Sequence, residues 1–439
     1  MRIQASGESH RRPPLTSPSS PPSATQPLSA AESDPVRMGW MVGSPPPPDK
    51  RVQFADLFQF PKTRWSFAHM RSLAPSSPVS RGSGPSCMLP RDEREDCDAV
   101  RFQPTGSNDT MTWLASLDAN YTDAIVVLHR GRVVYERYRG VMSPWQPHMA
   151  MSVTKSLFGT LGAVLISEGL LDAHAPVTRY VPELAGTAYG DATVRHVLDM
   201  RVGVKYSEDY TDEQAEIWAH ARAGGVLPRP AGYAGPSHFY EFLCSLQKEG
   251  EHGQGFHYKT VNTDVLGWII RRMTGQTGGA VLSERIWARL GAEQDAYLLI
   301  DSVGTEFAGG GFNPVLRDLA RFGEMMRCGG QFNGQQIVPK AVVDDIRTGG
   351  SPEAFAQGGA YPTLQGWSYR NMWWVINNGH GAYTARGIHG QTIYIDPTAE
   401  MVIARFGSHP LAASVNFDAV TLPAFDAMAH HLMASSRAC

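Results

Sequence analysis

A long apolar stretch follows a polar turn about one third of the way along the chain. Between Ser152 and Gly169 the apolar side chains are spaced so that they cover nearly the whole circumference of a helix; they include Leu157, Phe158, Leu161, Val164 and Leu165. A helix that is apolar all round is buried. The pattern therefore predicts a buried helix that begins at Ser152 and ends near Gly169, a residue type suited to a left-handed helix end.

Runs rich in β-branched and aromatic residues lie on both sides of this helix. Residues 124–128 and 133–138 are separated by a short turn that contains Gly131, which predicts a β-hairpin. Near the C-terminus, similar runs at 373–376, 391–395 and 401–406 predict further strands. Helical patterns dominate 210–300, and shorter helices are predicted over 193–200, 212–222, 265–274 and 422–433.

Strands early and late in the chain, with helices between them, predict one sheet built from both ends and an inserted, mainly helical part. This is an α/β (α+β) fold class. We expect a single catalytic unit over residues 38–437, with the sheet in 38–150 and 305–437 and the helical part in 151–304. Residues 1–37 are dominated by Ser, Pro, Ala and Thr and are predicted to form a disordered leader. Residues 38–70 are predicted to be an extended arm that packs through its aromatic residues, Trp40, Phe54, Phe58 and Trp65.

Composition excludes several classes of protein. A net charge of −3 over 439 residues gives no electrostatic reason to expect nucleic acid or an anionic membrane as a partner. The sequence has no apolar run of about 18 residues and no apolar segment after its N-terminal arginines, so we expect neither a membrane span nor a secretory signal. Five cysteines and 15 histidines occur without the spacing of a disulfide framework or a metal site. No cofactor or metal is expected, and a cytoplasmic location is the default.

Ser152 and Lys155 are the strongest candidates for chemistry. Residues three apart share a helix face, so the hydroxyl and the amine come within reach of each other. Burial lowers the pKa of a lysine, and its neutral amine then accepts the proton of a serine nucleophile. A second Ser-x-x-Lys occurs at Ser245 and Lys248, but it leads into a polar run and is predicted to be a solvated helix end. No Gly-x-Ser-x-Gly is present, which argues against an α/β-hydrolase.

Three motifs together resemble the serine β-lactamase and penicillin-binding-protein superfamily, and most closely its class C-like branch of 6-aminohexanoate-dimer (nylon oligomer) hydrolases and related esterases. The first is Ser152-Val153-Thr154-Lys155, the second is Tyr258 placed nine residues before Gly267, and the third is Gly387-Ile388-His389-Gly390. The resemblance covers residues 38–435. It implies an antiparallel sheet flanked by helices, with an inserted helical lobe.

The resemblance also implies a role for each site residue. Ser152 would be the nucleophile, Lys155 its base and Tyr258 the relay that protonates the leaving group. The backbone N–H groups of Ser152 and Ile388 would form the oxyanion hole. Tyr210 would close over the substrate and bond its amide nitrogen.

Two further residues are weaker candidates for substrate binding. Glu208 would contact a substrate ammonium group, and His389 would touch the substrate. The alternatives stay open: Tyr258 as a core aromatic residue, Glu208 on a solvated loop, and His389 as a structural histidine in a turn.

The chain departs from the family pattern at two places. Thr260 stands where the second motif has asparagine, and Ala385 and Arg386 stand where the third motif has lysine and threonine. The family's carboxylate anchor is therefore missing, and β-lactam hydrolysis is not expected. The leading hypothesis is a cofactor-free serine hydrolase of short linear amides or small esters that acts through an acyl-enzyme on Ser152. A carboxylesterase with little amidase activity and a non-catalytic scaffold are the alternatives. The partner is a small molecule, and a homodimer is left open.

Overall fold

The computed structural model describes residues 27–436. The strands in this range are β1 Ser76–Val79, β2 Arg101–Phe102, β3 Met111–Thr112, β4 Thr122–His129, β5 Arg132–Tyr138, β6 Ala296–Leu299, β7 Phe312–Asn313, β8 Gln331–Phe332, β9 Gln335–Gln336, β10 Ser368–Arg370, β11 Trp373–Val375, β12 Tyr383–Arg386, β13 Thr392–Asp396 and β14 Met401–Gly407. The α-helices are α1 Pro35–Met38, α2 Thr63–Ser66, α3 Trp113–Ala119, α4 Val153–Ser167, α5 Val194–Leu198, α6 Glu216–Ala223, α7 Phe239–Cys244, α8 Val261–Thr274, α9 Gly278–Arg285, α10 Leu316–Arg327, α11 Lys340–Thr348, α12 Pro352–Gln357 and α13 Asp418–Ser436.

The largest sheet has seven antiparallel strands in the order β10-β11-β12-β13-β14-β4-β5. Its strands come from 122–138 and 368–407, so both ends of the described chain build it, as the strand pattern predicts. The predicted hairpin is confirmed: Arg130 and Gly131 join β4 to β5, and both have positive φ (52° and 75°), as a two-residue hairpin turn requires.

Both faces of this sheet are buried. Val126 and Leu128 of β4 belong to a core shared with α4, α8 and α10, whereas Ile125 and Val127 face a second core formed with α3 and α13. Alternate residues of a strand point to opposite faces. Burial on both sides therefore explains why β4 reads as a continuous apolar run.

The predicted helices are present, with some shifted ends. Helix α4 begins at Val153, with Ser152 as its N-cap residue, and Gly169 follows its end with φ 73°. Helix α8 begins four residues earlier than the pattern indicates, and α6 begins four residues later. Within residues 27–436, the helices are too short or too polar to cross a membrane.

Part of the predicted leader is ordered. Residues 1–26 lie outside the described range, but 27–37 pack against the body of the protein, and this corrects the prediction for them. The carbonyl of Leu28 accepts a hydrogen bond from the Tyr121 hydroxyl (2.9 Å), and that of Ala30 accepts one from Arg64 (3.3 Å). Asp34 caps α1 through the N–H groups of Val36 and Arg37. Hydrogen bonds to its main chain hold this segment in place. The prediction of disorder considers only its few apolar side chains and therefore misses these hydrogen bonds.

The arm after this segment packs against the turn that carries Ser152. Leu57, Phe67 and Met70 form a small core with Met149 and Met151, close to the three-stranded sheet β1-β6-β7. The predicted packing role of the arm is confirmed for Trp65, which is buried and stacks on His69 with ring centroids 3.9 Å apart.

Candidate active site

A tight turn presents Ser152 at the start of α4. The Ala150 N–H donates to the Phe312 carbonyl (2.8 Å), and the Phe312 N–H donates to Thr154 Oγ1 (3.1 Å), so β7 holds the turn. Met151 has φ 48°, a left-handed conformation that is uncommon for a side chain of this size. The Ser152 hydroxyl makes no capping hydrogen bond with its own helix. It is therefore available to other side chains.

Lys155 lies directly beside this hydroxyl. Its Nζ donates to Ser152 Oγ (2.7 Å) and to the Gly309 carbonyl (2.5 Å), and the side chain is 1% exposed. Burial lowers the pKa of Lys155 to about 8, although the negative charges of Glu208 and Asp264 oppose the shift. Roughly a tenth of the amine is therefore neutral at pH 7, far more than for an exposed lysine.

Tyr258 completes a cluster of three polar groups. Its side chain interacts with that of Ser152, and Lys155 Nζ lies 5.1 Å from the centroid of its ring. Burial, followed by the charge of Glu208, raises the pKa of Tyr258 well above its usual value. The phenol therefore keeps its proton at neutral pH.

Glu208 and Tyr210 reach the same site from the loop before α6. The Glu208 carboxylate accepts a hydrogen bond from the Thr260 N–H at the start of α8. This bond ties the loop to the segment that carries Tyr258. Tyr210 packs edge-on against Trp218, with ring centroids 5.9 Å apart, and its ring lines the cleft described below.

Strand β12 brings Gly387 and Ile388 against the Ser152 turn. A side chain at position 387 would lie 2.8 Å from the Ala150 carbonyl, so this approach requires glycine. The main-chain N–H groups of Ser152 and Ile388 have no hydrogen-bond acceptor among residues 27–436. Unpaired donors beside a nucleophile suit an oxyanion.

His389 is buried behind Ile388. It has φ 59°, and its Nδ1 is 2.7 Å from the His409 carbonyl, which makes Nδ1 the protonated nitrogen. Burial lowers the pKa of His389 to about 4. The ring is therefore neutral at physiological pH, and it lies at the wall of the cleft with its hydrogen bond directed into the protein.

The cleft over these residues has two lobes. The Tyr258 lobe has a volume of about 460 Å³ and is lined by Tyr258, Tyr361, Trp374, Arg386, Ser414 and Val415. The Phe58 lobe has a volume of about 490 Å³ and is mostly apolar, with Phe58, Met149, Met151, Ile217, Trp218, Val226, Leu227 and Phe307 in its walls. Glu208, Tyr210 and Ile388 border both lobes. One predicted arm aromatic, Phe58, thus lies in the cleft.

Behind Lys155 lies a buried series of polar groups that the sequence pattern does not predict. The Gly309 N–H donates to Asp264 Oδ1 (2.9 Å). The other carboxylate oxygen of Asp264 lies 3.0 Å from His220 Nε2, which is close enough for an ion pair, but the two groups are not aligned for a hydrogen bond. His220 Nδ1 is 3.1 Å from the Tyr206 hydroxyl. The feature of the sequence that indicates this close packing is the glycine-rich run at 309–311. A side chain at position 309 would lie 2.3 Å from Thr260, so the contact requires glycine.

Two other features lie away from this cleft. Ser245, of the second Ser-x-x-Lys, donates to the Phe242 carbonyl, and Lys248 pairs with Asp191 on the surface (2.6 Å), as predicted for a solvated helix end. Asp96, Cys97 and His431 have possible metal-ligand atoms within 4.8 Å of one another. The Asp96 carboxylate pairs with Arg94 (2.9 Å) and His431 (3.0 Å), so side chains of the protein already satisfy it.

The beta-lactamase family model matches residues 114–418 of this chain. The chain belongs to the beta-lactamase family. This confirms the predicted superfamily and its fold class. Within the family, the chain is 39% identical to the 6-aminohexanoate-dimer hydrolase of Paenarthrobacter ureafaciens over 350 residues, which is 80% of this chain and 86% of that protein. It is 27% identical to esterase EstB of Burkholderia gladioli, over 44% of this chain and 54% of EstB.

A solved structure shows the same likeness. A protein of Bacillus anthracis, provisionally named a 6-aminohexanoate-dimer hydrolase, superimposes with a TM-score of 0.81 at 32% identity, and the match covers 89% of this chain and 99% of that one. This member of the beta-lactamase family is therefore a hydrolase of the amidase and esterase group, and its substrate is a small molecule. The predicted enzyme class is confirmed.

Proposed function

We propose that this hydrolase cleaves short linear amides of the 6-aminohexanoate-dimer type, or small esters, through an acyl-enzyme on Ser152. The observation that carries the proposal is the 2.7 Å contact between Ser152 Oγ and the buried amine of Lys155. The relative from Paenarthrobacter ureafaciens supports the choice of substrate.

In the proposed mechanism, Ser152 Oγ attacks the carbonyl carbon while Lys155 accepts its proton. The N–H groups of Ser152 and Ile388 stabilise the tetrahedral oxyanion, because neither has another acceptor among the described residues. Tyr258 delivers a proton to the leaving nitrogen or oxygen, and the C–N or C–O bond breaks. Water then attacks the acyl-enzyme by the reverse sequence of proton transfers and releases the acid.

Tyr210 and Glu208 complete the proposal at the border between the lobes. Tyr210 bonds the amide nitrogen, and the Glu208 carboxylate attracts an ammonium group on the substrate. His389 serves as a wall of the Phe58 lobe, because its hydrogen bond to the His409 carbonyl turns Nδ1 away from the cleft.

A carboxylesterase with little amidase activity is the second candidate, favoured by the likeness to EstB. An alkoxide leaves more easily than an amine, so ester turnover is expected in either case. A cytoplasmic location is also part of the proposal. It is supported by the free thiols of Cys87, Cys97, Cys244 and Cys328.

The test combines covalent labelling with a substrate panel. Intact-mass analysis after treatment with a fluorophosphonate is expected to show one adduct on the wild type and none on Ser152→Ala. The wild type is expected to hydrolyse p-nitrophenyl butyrate and the 6-aminohexanoate dimer, but not a chromogenic cephalosporin. Hydrolysis of the butyrate alone would favour the carboxylesterase.

Ser245→Ala is the matched control, because it removes the serine of the second Ser-x-x-Lys at the surface. This variant is expected to keep both labelling and turnover. An unlabelled, inactive wild type would instead favour the non-catalytic scaffold.

A further inference from the structure

We propose that the Tyr258 lobe holds the leaving group of the substrate and that Arg386 binds a carboxylate carried by that group. The inference rests on the proposed function and deepens it. It extends the substrate class from the 6-aminohexanoate dimer to other acyl derivatives of amino acids, in which the amine that departs also carries an acid.

The position of Tyr258 assigns the two lobes. Tyr258 lines one lobe and is absent from the walls of the other. A group that protonates the leaving atom must lie within hydrogen-bond reach of it. The leaving group therefore extends into the Tyr258 lobe, and the acyl chain occupies the largely apolar Phe58 lobe.

Arg386 lies close enough to the reacting carbonyl to contact the far end of a short leaving group. It is the last residue of β12 and lies two positions before Ile388, whose N–H is the proposed oxyanion donor. Two residues of extended chain span roughly 7 Å. A short spacer on the leaving amine is therefore long enough to bring a terminal carboxylate to the guanidinium.

The guanidinium is fixed in place and keeps free donors. Its Nη2 donates to both carboxylate oxygens of Asp418 (2.6 and 2.7 Å). Its Cζ lies 5.5 Å and 5.6 Å from the ring centroids of Trp367 and Trp374, which hold the planar group. Nη1 is a buried atom without an acceptor among the described residues. Buried donors of this kind are normally paired, and a carboxylate of the substrate would supply an acceptor here.

The charges around the cleft favour an anion only at this point. Arg386 is the one cationic side chain among the described residues that line the Tyr258 lobe, whereas Glu208 and Asp209 border both lobes. A carboxylate near the border would be repelled, and at Arg386 it would form charge-assisted hydrogen bonds. In this chain, Ala385 stands where the third family motif has the lysine that helps to bind a carboxylate. The neighbouring side chain, Arg386, takes over this role in our proposal.

The test compares two amides with the same acyl chain, one with a charged and one with an uncharged leaving amine: N-hexanoyl-6-aminohexanoate and N-hexanoyl-6-aminohexanol. The wild type is expected to prefer the free acid by about tenfold to a hundredfold in amide kcat/KM, the range expected from charge-assisted hydrogen bonds. Most of the difference is expected in KM. Arg386→Gln is expected to bring the ratio close to one, and Arg386→Lys, which keeps the charge but loses the planar donors, to give an intermediate ratio.

Arg347→Gln is the matched control, because it removes the same charge from an exposed residue outside both lobes. It is expected to keep the wild-type ratio. Since loss of Arg386 leaves Asp418 unpaired and endangers folding, a second measurement uses the wild type alone. With p-nitrophenyl butyrate as the reporter substrate, 6-aminohexanoate is expected to inhibit competitively at concentrations at least tenfold lower than hexylamine, and added salt is expected to weaken this inhibition.

Failure of this inference is distinguishable from failure of the proposed function. Equal turnover of the two amides and equal inhibition by the two amines would overturn the proposed carboxylate subsite. The proposed hydrolase function would be unaffected by that result. If the wild type is neither labelled nor active, calorimetric titration of Ser152→Ala with 6-aminohexanoate and with hexylamine still decides whether the lobe prefers the acid. No preference there would also overturn the subsite.

Discussion

At the scale of single residues, the reactivity of Lys155 depends on two opposed effects. Its burial favours the neutral amine, whereas the charges of Glu208 and Asp264 favour the ammonium form. The resulting pKa of about 8 leaves the residue able to accept a proton and return it within one cycle. A base with a pKa near the working pH is the most effective for this purpose.

The pH dependence of turnover follows from this balance. Because the neutral amine is the active form, kcat/KM is expected to rise with pH and to level off above about pH 8, the pKa of Lys155. Asp264→Asn removes a negative charge that favours the ammonium. The pKa of Lys155 then falls, and the rise in kcat/KM is expected to move to lower pH by about one unit.

Asp212→Asn removes the same charge from an exposed residue of the loop before α6 and is expected to leave the profile in place. The titratable and charged groups that interact electrostatically with Lys155 or Asp264 are Glu208, Tyr258, Tyr189, Tyr206 and His220. An unchanged profile in Asp264→Asn would show that its carboxylate has only a structural role.

Tyr210 is expected to distinguish amides from esters. Tyr210→Phe keeps the ring contact with Trp218 but removes the hydroxyl that is proposed to bond the amide nitrogen. Amide turnover is expected to fall about tenfold to a hundredfold, the effect of losing one such hydrogen bond, while ester turnover changes much less. The measurement is kcat for an amide and an ester with the same acyl chain. Equal losses on both would contradict the proposed contact.

At the scale of elements, a buried ion pair joins the arm to the sheet. Arg64 of α2 donates to Asp123 of β4 (3.0 Å), and the other carboxylate oxygen of Asp123 accepts the Ser408 hydroxyl (2.6 Å). His148, which lies four residues before Ser152, has its Nε2 3.5 Å from the same oxygen. The arm, the sheet and the turn of the nucleophile therefore share one carboxylate.

Loss of this ion pair is expected to cost stability. Arg64→Met leaves the Asp123 carboxylate buried without its cationic partner, and the free energy of unfolding is expected to fall by about 3–5 kcal/mol in urea titrations. Arg130→Met is the control. It breaks a pair with Glu400 whose side chains are 53% and 44% exposed, and a loss below about 1 kcal/mol is expected. A loss below about 1 kcal/mol in Arg64→Met as well would argue against a stabilising role for this ion pair.

Local patterns predict the hairpin and α4, because each depends on spacing within a few residues, whereas the choice of Tyr258 rests on the resemblance to the family motif. They predict the wrong start for α6. The Asp212 side chain accepts a hydrogen bond from the Gln214 N–H, and the residues that the pattern assigns to the first turn of the helix form a non-helical turn instead. They also miss contacts between distant segments. Asp264 with Gly309 and Arg386 with Asp418 follow no periodic pattern, so only the folded chain brings them together.

At the scale of the whole molecule, the cleft is assembled from segments spread along most of the described chain. Its walls include Phe58 from the arm, Tyr210 from the loop before α6, Tyr258 from the segment before α8, Phe307 from the segment before the glycine-rich run and Arg386 from β12. Each segment brings a different chemistry. This is why one lobe is largely apolar and the other contains a cation.

The pairing of β4 with β14 has a consequence for the newborn protein. Val127 lies opposite Ile403 in the sheet, although Ile403 is synthesised about 275 residues later. At roughly 5–20 residues per second, the interval is on the order of tens of seconds. During that time the edge of the apolar strand β4 is open to pairing with other chains, which is a route to aggregation. The nascent chain therefore carries this open edge until its last strands emerge, and it carries Ser152 long before Ile388 is synthesised.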